Sequence, residues 1–253
     1  MKTENTNSTN YNKSVIEIDG LNISFGKNHV LHNLDLTLNK GENVVVLGKS
    51  GSGKSVLIKC IIGLMKPDSG KISIFDEDIT KLSIDELDKI RMKIGFLFQS
   101  NALYDSMTVR ENLEFPLRRH GIQKTKEEVN ILVKEALTNV GLPDTENMMP
   151  SELSGGMKKR IALARTLILK PEIILYDEPT TGLDPITGKE ISNLMLEIQK
   201  KYNTSSIIIS HDIYCVKIVA NRIIMLIDGK AYADGTYKEL KKSNDIKIKS
   251  FFE

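Results

Sequence analysis

A glycine-rich octapeptide early in the chain has the residue types and spacing of a phosphate-binding loop. It reads GKSGSGKS over residues 48–55, after the apolar run 44–47 and before an apolar stretch over 56–65. Glycines let the backbone curl so that successive N–H groups point into one concavity at a helix N-terminus. In this GxxxxGK[ST] pattern, Lys54 reaches the β- and γ-phosphates and the Ser55 hydroxyl ligates Mg²⁺.

An ordinary turn rich in Gly and Ser would fit the same letters. The strand-like run before the loop and the apolar helix after it favour nucleoside triphosphate binding, because the motif acts in that structural context. The residues predicted to contact the nucleotide are Gly48, Lys49, Ser50, Gly51, Ser52, Gly53, Lys54, Ser55 and Val56.

Two adjacent carboxylates stand at the end of another apolar run. Asp177 and Glu178 follow residues 173–176, and ligands of open α/β sheets bind at the carboxyl ends of the strands. Asp177 is placed to hold Mg²⁺ through water, and Glu178 to orient or deprotonate an attacking water. Because adjacent carboxylates repel each other, both are ionised only beside a cation or strong donors. Taken alone, the Asp-Glu-Pro sequence fits a solvated turn equally well.

A second glycine-containing motif, LSGGM, covers residues 153–157. Its Ser154 lies 23 positions before Asp177 (177 − 154 = 23). Ser154, Gly155 and Gly156 are expected to form an anion-binding turn that opens a helix predicted over 157–169. The chain would then carry two phosphate-binding turns, which need not serve the same nucleotide.

Strand and helix patterns alternate along the chain. Capping boxes at Ser83 and Thr125 predict two helices, and the octapeptide opens a third. The alternation indicates an α/β fold with a mainly parallel sheet and some antiparallel strands. Residues from about 100 to 169 carry helical patterns without a good strand, so a helical subdomain inserted in the sheet is predicted. Strands are predicted near residues 15–18, 34–38, 44–47, 72–74, 94–98, 173–176, 207–209, 223–226 and 231–233.

The composition is that of an ordinary globular chain. Of 253 residues, 40% are hydrophobic and 27% charged, with a net charge of 35 − 33 = +2. These values argue against disorder and against nucleic-acid binding driven by bulk charge. Two cysteines, Cys60 and Cys215, cannot form a disulfide framework and indicate a reducing compartment.

No apolar run approaches the ~18 to 20 residues of a membrane-spanning helix. Residues 1–14 lack the apolar stretch of a secretory signal and are expected to be a flexible tail. The folded domain is expected over 15–250 and in the cytosol.

The combination of motifs, in this order and spacing, resembles the nucleotide-binding subunit of ABC transporters, whose signature is LSGGQ. The resemblance covers about residues 15–240. It implies a P-loop NTPase core of the ABC ATPase type, with ATP and Mg²⁺ as cofactors. It also implies that Ser154, Gly155 and Gly156 bind nucleotide and that Glu178 is catalytic.

Four further sites acquire roles from this resemblance. Gln99 resembles the Q-loop glutamine, which touches the Mg²⁺ and attacking-water region and links the ATP site to the helical subdomain. Residues 181–184 (TGLD) resemble the D-loop, which crosses the dimer interface. His211 resembles the switch histidine that contacts the γ-phosphate, and Phe25 stands where the family has an adenine-stacking aromatic, usually Tyr. The implied catalytic residues are Glu178, His211 and Gln99, and the implied metal ligands are Ser55, Gln99 and Asp177.

The family dimerises head to tail, with each ATP between the P-loop of one chain and the signature turn of the other. Because one chain carries all active-site positions, a homodimer with two competent sites is expected. Binding of two ATP would close the dimer, and hydrolysis would let it reopen. The signature departs from the family pattern at Met157, which replaces Gln and cannot offer its amide.

The stretch from Gln99 to Arg118, together with Met157, resembles the ATPase of Mla-type phospholipid transporters. That resemblance implies a separate transmembrane permease and an MCE-domain lipid-binding protein as partners. It places the chain peripherally on the cytoplasmic side of a bacterial inner membrane, in contact with the membrane through the permease.

Three other classes remain open. A solute-importer ATPase, for amino acids for instance, shares every ATP-site residue and differs mainly at Met157 and over 100–118. A DNA-repair or ribosome-acting ABC ATPase usually has a long coiled coil or two cassettes. Here a single cassette has only 123 positions between Lys54 and Asp177 (177 − 54 = 123). A binding module without chemistry is disfavoured by the intact site residues.

Overall fold

The chain forms two β-sheets in a computed structural model that describes residues 13–252. The strands are β1 (Ser14–Phe25), β2 (Asn28–Asn39), β3 (Asn43–Leu47), β4 (Ser69–Ile74), β5 (Glu77–Asp78), β6 (Ile94–Leu97), β7 (Ile173–Asp177), β8 (Ser205–Ser210), β9 (Arg222–Ile227) and β10 (Lys230–Gly235). The helices are α1 (Lys54–Ile61), α2 (Ile84–Arg91), α3 (Val109–Arg119), α4 (Lys126–Asn139), α5 (Gly155–Leu167), α6 (Pro185–Tyr202), α7 (Ile213–Val219), α8 (Tyr237–Lys241) and α9 (Ile246–Lys249). A short 3₁₀ turn covers Pro150–Glu152.

The larger sheet has the strand order β10-β9-β3-β8-β7-β6, with every pair parallel except β10 with β9. Its register aligns the carboxyl ends of the central strands, because Leu47 pairs with Ser210 and Asp177 pairs with Ile209. The loops after β3, β7 and β8 therefore start at one edge of the sheet, where open α/β sheets bind ligands. The smaller sheet is antiparallel, in the order β2-β1-β4-β5.

Alternation along the buried strands divides the core between the two faces of the larger sheet. In β3, Val45 and Leu47 face one apolar cluster, while Val44 and Val46 face another. The first cluster takes in helices α3 to α7, and the second takes in α1, α2 and the antiparallel sheet. Both faces are covered, which explains why β3 is apolar at each position after Asn43.

The predicted fold class, an α/β core with parallel and antiparallel strands and an inserted helical segment, is confirmed by this architecture. Between β6 and β7 the described chain contains α3, α4, the 3₁₀ turn and α5, with no strand. Ser83 and Thr125 are the predicted capping boxes and begin α2 and α4. A third box, at Thr108, begins α3 and was not predicted.

Several element bounds differ from the sequence prediction. Helix α5 begins at Gly155 rather than residue 157, because the Ser154 side chain accepts a hydrogen bond from the Met157 N–H and so caps the helix. Helix α1 ends at Ile61, before the predicted end at residue 65. Of the predicted tail, residues 1–12 lie outside the described chain, and Ser14 already belongs to β1.

Helix α6 is absent from the predicted elements although the sequence carries its signals. Asp184 caps it by accepting from the N–H groups of residues 186 and 187, and Pro185 stands at its first position. Its buried face includes Ile191, Met195 and Ile198, at helical spacing. This helix begins directly after residues 181–184, which resemble a D-loop and lie in the connection between β7 and α6.

Candidate nucleotide-binding site

A cleft of about 750 Å³ opens at the carboxyl edge of the larger sheet. It brings together residues from six separate parts of the chain. All of them were predicted from the sequence as site residues except Val30, Ser250 and Phe251. The lining residues are Phe25, Val30, Gly48, Lys49, Ser50, Gly51, Gly53, Lys54, Ser55, Val56, Gln99, Glu178, His211, Ser250 and Phe251.

The loop between β3 and α1 wraps around the ammonium group of Lys54. The Lys54 Nζ donates to the carbonyl oxygens of Gly48 at 2.8 Å and Lys49 at 3.0 Å. Burial lowers the pKa of Lys54, opposed by the carboxylates of Glu178 and Asp177. The side chain is thus a buried point charge inside the loop, as binding of a phosphate requires.

Two glycines are needed for this loop conformation. A Cβ at Gly48 would stand 2.5 Å from the Ser52 Oγ and 2.6 Å from the Leu226 carbonyl oxygen. Gly53 has φ +101°, a region that side chains strongly disfavour. The Ser52 hydroxyl lies outside the cleft lining and is buried without a hydrogen-bond partner in the described chain.

The Glu178 carboxylate lies between a cation and an imidazole. Its Oε1 is 3.8 Å from Lys54 Nζ, and its Oε2 is 2.8 Å from His211 Nδ1. Thr181 Oγ1 donates to the same Oε2 at 3.3 Å. Glu178 has φ +50°, and its N–H donates to the carbonyl of Ile209 in the neighbouring strand. The chain therefore turns sharply after β7 and aims this carboxylate into the cleft.

Asp177, the last residue of β7, is a candidate metal ligand. Its Oδ1 is buried without a hydrogen-bond partner in the described chain. Burial raises the pKa of Asp177, and the neighbouring carboxylate of Glu178 raises it further. An orphaned, destabilised carboxylate oxygen is one that a divalent cation would satisfy. With the Ser55 hydroxyl and the Gln99 amide, the available donors are all hard oxygens, which suit Mg²⁺.

Two predicted residues line the cleft from exposed positions. Phe25, at the end of β1, is 49% exposed and lines the cleft. Gln99 follows β6 and its side chain is exposed, while its backbone carbonyl accepts a hydrogen bond from Lys159.

Ser154, Gly155 and Gly156 do not line this cleft. Ser154 and Gly155 are exposed at the start of α5, whereas a Cβ at Gly156 would stand 2.7 Å from the Thr187 side chain. Met157 is half-buried and packs against the first apolar cluster, so it takes a packing role where the family pattern has an amide. Within the described chain, the signature turn therefore lies outside the cleft that the P-loop of the same molecule lines.

Sequence reasoning missed two features of the site. Ser250 and Phe251 reach the cleft from the C-terminal segment, and the Lys49 ammonium lies 5.9 Å from the centroid of the Phe251 ring. No motif marks these positions. Lys159 is 2% exposed. The apolar stretch that follows it was a usable signal for burial.

None of the helices within residues 13–252 is both long and apolar enough to cross a bilayer.

A P-loop after β3, a histidine after the adjacent strand β8 and a carboxylate pair at the end of the next strand, β7, define a P-loop nucleotide-hydrolase fold. The family model described as ABC transporter matches residues 31–181. The chain belongs to the ABC transporter family, as one of its ATP-binding cassettes, the ATPase class of that family. The resemblance inferred from the motifs is thereby confirmed.

Similar proteins include transport ATP-binding proteins of different stated cargo. The chain is 40% identical over 236 residues to a probable ribonucleotide transport ATP-binding protein, mkl, of Mycobacterium bovis, covering 93% of this chain and 66% of that protein. It is 37% identical over 242 residues to the intermembrane phospholipid transport system ATP-binding protein MlaF of Haemophilus influenzae, covering 96% and 91%. It is 40% identical over 207 residues to methionine import ATP-binding protein MetN 2 of Bacillus cereus, covering 82% and 60%. The chain thus spans about two thirds or less of two of these relatives.

A solved relative has the same fold. The ATP-binding cassette MJ0796, in a dimeric post-hydrolysis state bound to ADP and Pi, superposes with a TM-score of 0.80 and 34% sequence identity. The match covers 87% of this chain and 98% of that one.

Proposed function

We propose that this chain hydrolyses ATP to power phospholipid transport between membranes. The observation that carries the phospholipid assignment is the extent of the match to the Haemophilus protein, which includes 91% of that relative. The match to the methionine importer includes only 60% of its relative. We therefore propose phospholipid as the cargo, because this chain matches the phospholipid transport protein over nearly the whole of both chains.

Glu178 is the proposed general base. The residue is 8% exposed, and its Oε2 is held by His211 and Thr181. A water between this carboxylate and the γ-phosphate would lose a proton to Glu178 as it attacks in line. Lys54, 3.8 Å away, offsets the negative charge that develops on the phosphoryl oxygens. His211 is the proposed γ-phosphate contact. Its hydrogen bond to Glu178 would hold the imidazole and the carboxylate on the same side of the phosphate.

Ser55, Gln99 and Asp177 are the residues proposed to hold Mg²⁺, which would supply positive charge to offset that of the phosphates. The buried, unpartnered Asp177 Oδ1 supports this assignment. Phe25 is the proposed stacking platform for adenine, because its ring is exposed at the cleft.

A head-to-tail homodimer is the proposed working unit. The N–H groups that open α5 at Ser154 and Gly155 are exposed and lie outside the cleft of their own chain. In a head-to-tail dimer they would bind the nucleotide carried by the second copy. Residues 181–184, between β7 and α6, would lie at the same interface.

The segment after Gln99 is the proposed contact with a separate transmembrane permease. Tyr104 is 42% exposed, and its ring packs at 4.7 Å from that of Phe115 on α3. The buried Asn112 amide fixes the base of this segment through hydrogen bonds to the backbone of Tyr104 and Met107. An MCE-domain lipid-binding protein is the proposed further partner. The chain would act at the cytoplasmic face of a bacterial inner membrane, and no nucleic acid is involved.

A solute importer is the second candidate, supported by 40% identity to the methionine import protein. The two candidates share the ATP chemistry and differ in their partners. Purification of this chain from its native membrane in mild detergent, followed by mass spectrometry of proteins and lipids, separates them. We expect a permease, an MCE-domain protein and bound phospholipid. A permease accompanied by a solute-binding protein would instead identify an importer.

A further inference from the structure

Lys159 is a lysine buried inside the helical segment, where an ammonium group is costly unless it is paired. Its side chain is 2% exposed. Its Nζ donates to the backbone carbonyl of Gln99 at 2.9 Å, and this is its one hydrogen bond in the described chain. The carboxylate of Asp177 favours its charged form, although burial lowers the pKa of Lys159 to about 8.

A second cation on the same helix holds the residues that follow Gln99. Arg165 Nη1 donates to the carbonyl of Ala102 at 2.7 Å, and Nη2 donates to the carbonyl of Asn101 at 3.0 Å. Asn101 and Ala102 have φ of +65° and +51°. Two successive non-glycine residues in the left-handed region are strained and persist only where the surroundings hold them.

Helix α5 therefore makes three hydrogen bonds to a stretch of four backbone residues, 99–102. Ser154 caps the same helix, and its turn is proposed to contact the nucleotide carried by a second copy. Lys159 lies five residues further along, about 7.5 Å along the helix axis. A rigid helix thus joins the signature turn to the backbone of the candidate metal ligand in its own cleft.

We propose that Lys159 is a positioning residue that fixes the Gln99 loop against α5 and so couples the signature turn to the chain's own catalytic site. Lys159 acts through the Gln99 carbonyl and touches no substrate. Arg165 holds the permease-facing side of the same loop. The proposal rests on the role given above to Gln99, and it adds that the position of this glutamine depends on the signature helix.

The test compares Lys159→Met with Lys159→Arg, which keeps a donor and a charge, and with Lys158→Met, which removes the adjacent half-buried lysine. Amide hydrogen exchange of residues 98–106 is measured without nucleotide, and kcat and KM for ATP are measured separately. For Lys159→Met we expect faster exchange by about 10-fold, because a buried hydrogen bond is lost. We expect kcat to fall by about 10-fold or more, with KM within about twofold.

Lys159→Arg should restore most of both values, and Lys158→Met should resemble the unaltered chain. The proposal would be overturned if Lys159→Met had the same hydrogen-exchange rates and the same kcat as Lys158→Met. A rise in KM with unchanged kcat would overturn it too, since that pattern indicates a nucleotide contact. If Lys159→Met does not fold, Lys159→Leu, which also lacks a donor, is used with the same expectations.

Failure of the proposed function is a separate result. If the unaltered chain hydrolyses no ATP, the ATPase proposal is refuted. Hydrogen exchange of 98–106 still decides whether Lys159 holds the loop.

Discussion

His211 Nδ1 and Glu178 Oε2 lie 2.8 Å apart, although 33 positions separate the two residues (211 − 178 = 33). Each residue stands just beyond the end of one of two adjacent parallel strands, β7 and β8. The strand register therefore brings them together, and the imidazole limits how the carboxylate can rotate. An orientation fixed before ATP binds favours catalysis, because no reorganisation is needed at the moment of reaction.

Replacing Glu178 with Gln should separate ATP binding from ATP hydrolysis. The amide keeps the shape of the side chain but cannot accept the proton of the attacking water. We expect turnover to fall about 10²- to 10⁴-fold, with ATP affinity retained and an ATP-bound dimer trapped. Phosphate release and light scattering measure these outcomes. Normal turnover in Glu178→Gln would remove this residue from the role of base.

Replacing Lys54 with Ala should weaken ATP binding itself. The phosphates would lose charge-assisted hydrogen bonds worth about 1.5–3 kcal/mol, so affinity should fall about 10- to 100-fold. Titration calorimetry measures this change. Lys66→Ala is the matched control because Lys66 is exposed and outside the cleft lining. Unchanged affinity in Lys54→Ala would contradict the assignment of the phosphate loop.

Replacing Asn112 with Ala should destabilise the segment after Gln99. The Asn112 side chain is fully buried, accepts from the Tyr104 N–H and donates to the carbonyls of Tyr104, Met107 and Thr108. Its loss removes these four hydrogen bonds and leaves the Tyr104 N–H without its partner. We expect a cost of about 2–4 kcal/mol. Urea unfolding measures the cost. The exposed Asn147 supplies the control Asn147→Ala, and equal stabilities would refute the prediction.

Replacing Tyr104 with Ala should affect partner binding more than the basal ATPase rate. The exposed ring lies outside the cleft lining and packs on Phe115. Aromatic side chains of this kind often contribute much of the binding energy at the centre of a protein interface. We expect recovery of the permease to fall about tenfold or more, with basal turnover within about twofold. Ile131→Ala, at a 65% exposed position on α4, is the control. A lost basal rate with intact permease binding would place the interface elsewhere.

The two buried thiols should make the protein less stable at alkaline pH. Burial raises the pKa of Cys60 and of Cys215 from 9.0 to about 11. The folded chain then holds more protons than the unfolded chain between pH 9 and about 11, so the free energy of unfolding falls as pH rises through this window.

The limit of that loss is about 3 kcal/mol per thiol. Unfolding in urea at pH 8, 9 and 10 measures it, with Cys60→Ala and Cys215→Ala as comparisons. Each variant should show a smaller loss between pH 9 and 10 than the unaltered chain. The prediction would be contradicted if both variants lost as much stability between pH 9 and 10 as the unaltered chain does.

The motifs of the phosphate loop, the carboxylate pair and the signature turn could all be recognised in the sequence. Each depends on a short run of residues, because a glycine-rich turn between a strand and a helix is defined by local backbone geometry. The capped helices α2 and α4 were predicted for the same reason. The Thr108 box and the whole of α6 carried equal signals and were not predicted.

Contacts between distant parts of the chain could not be derived in this way. Nothing near Lys159 in the sequence indicates that its ammonium reaches the carbonyl of Gln99, 60 positions away (159 − 99 = 60). The same holds for Phe251, which meets the P-loop from the far end of the chain.

The sequence by itself determined the class of chemistry, the fold family and the residues that could bind phosphate. The tertiary structure decided which of them share a cleft: Lys54, Glu178 and His211 do, and Ser154 does not. The physical reason is that residue type and local spacing fix backbone turns. Strand register and core packing, which depend on the whole chain, fix the distances between those turns.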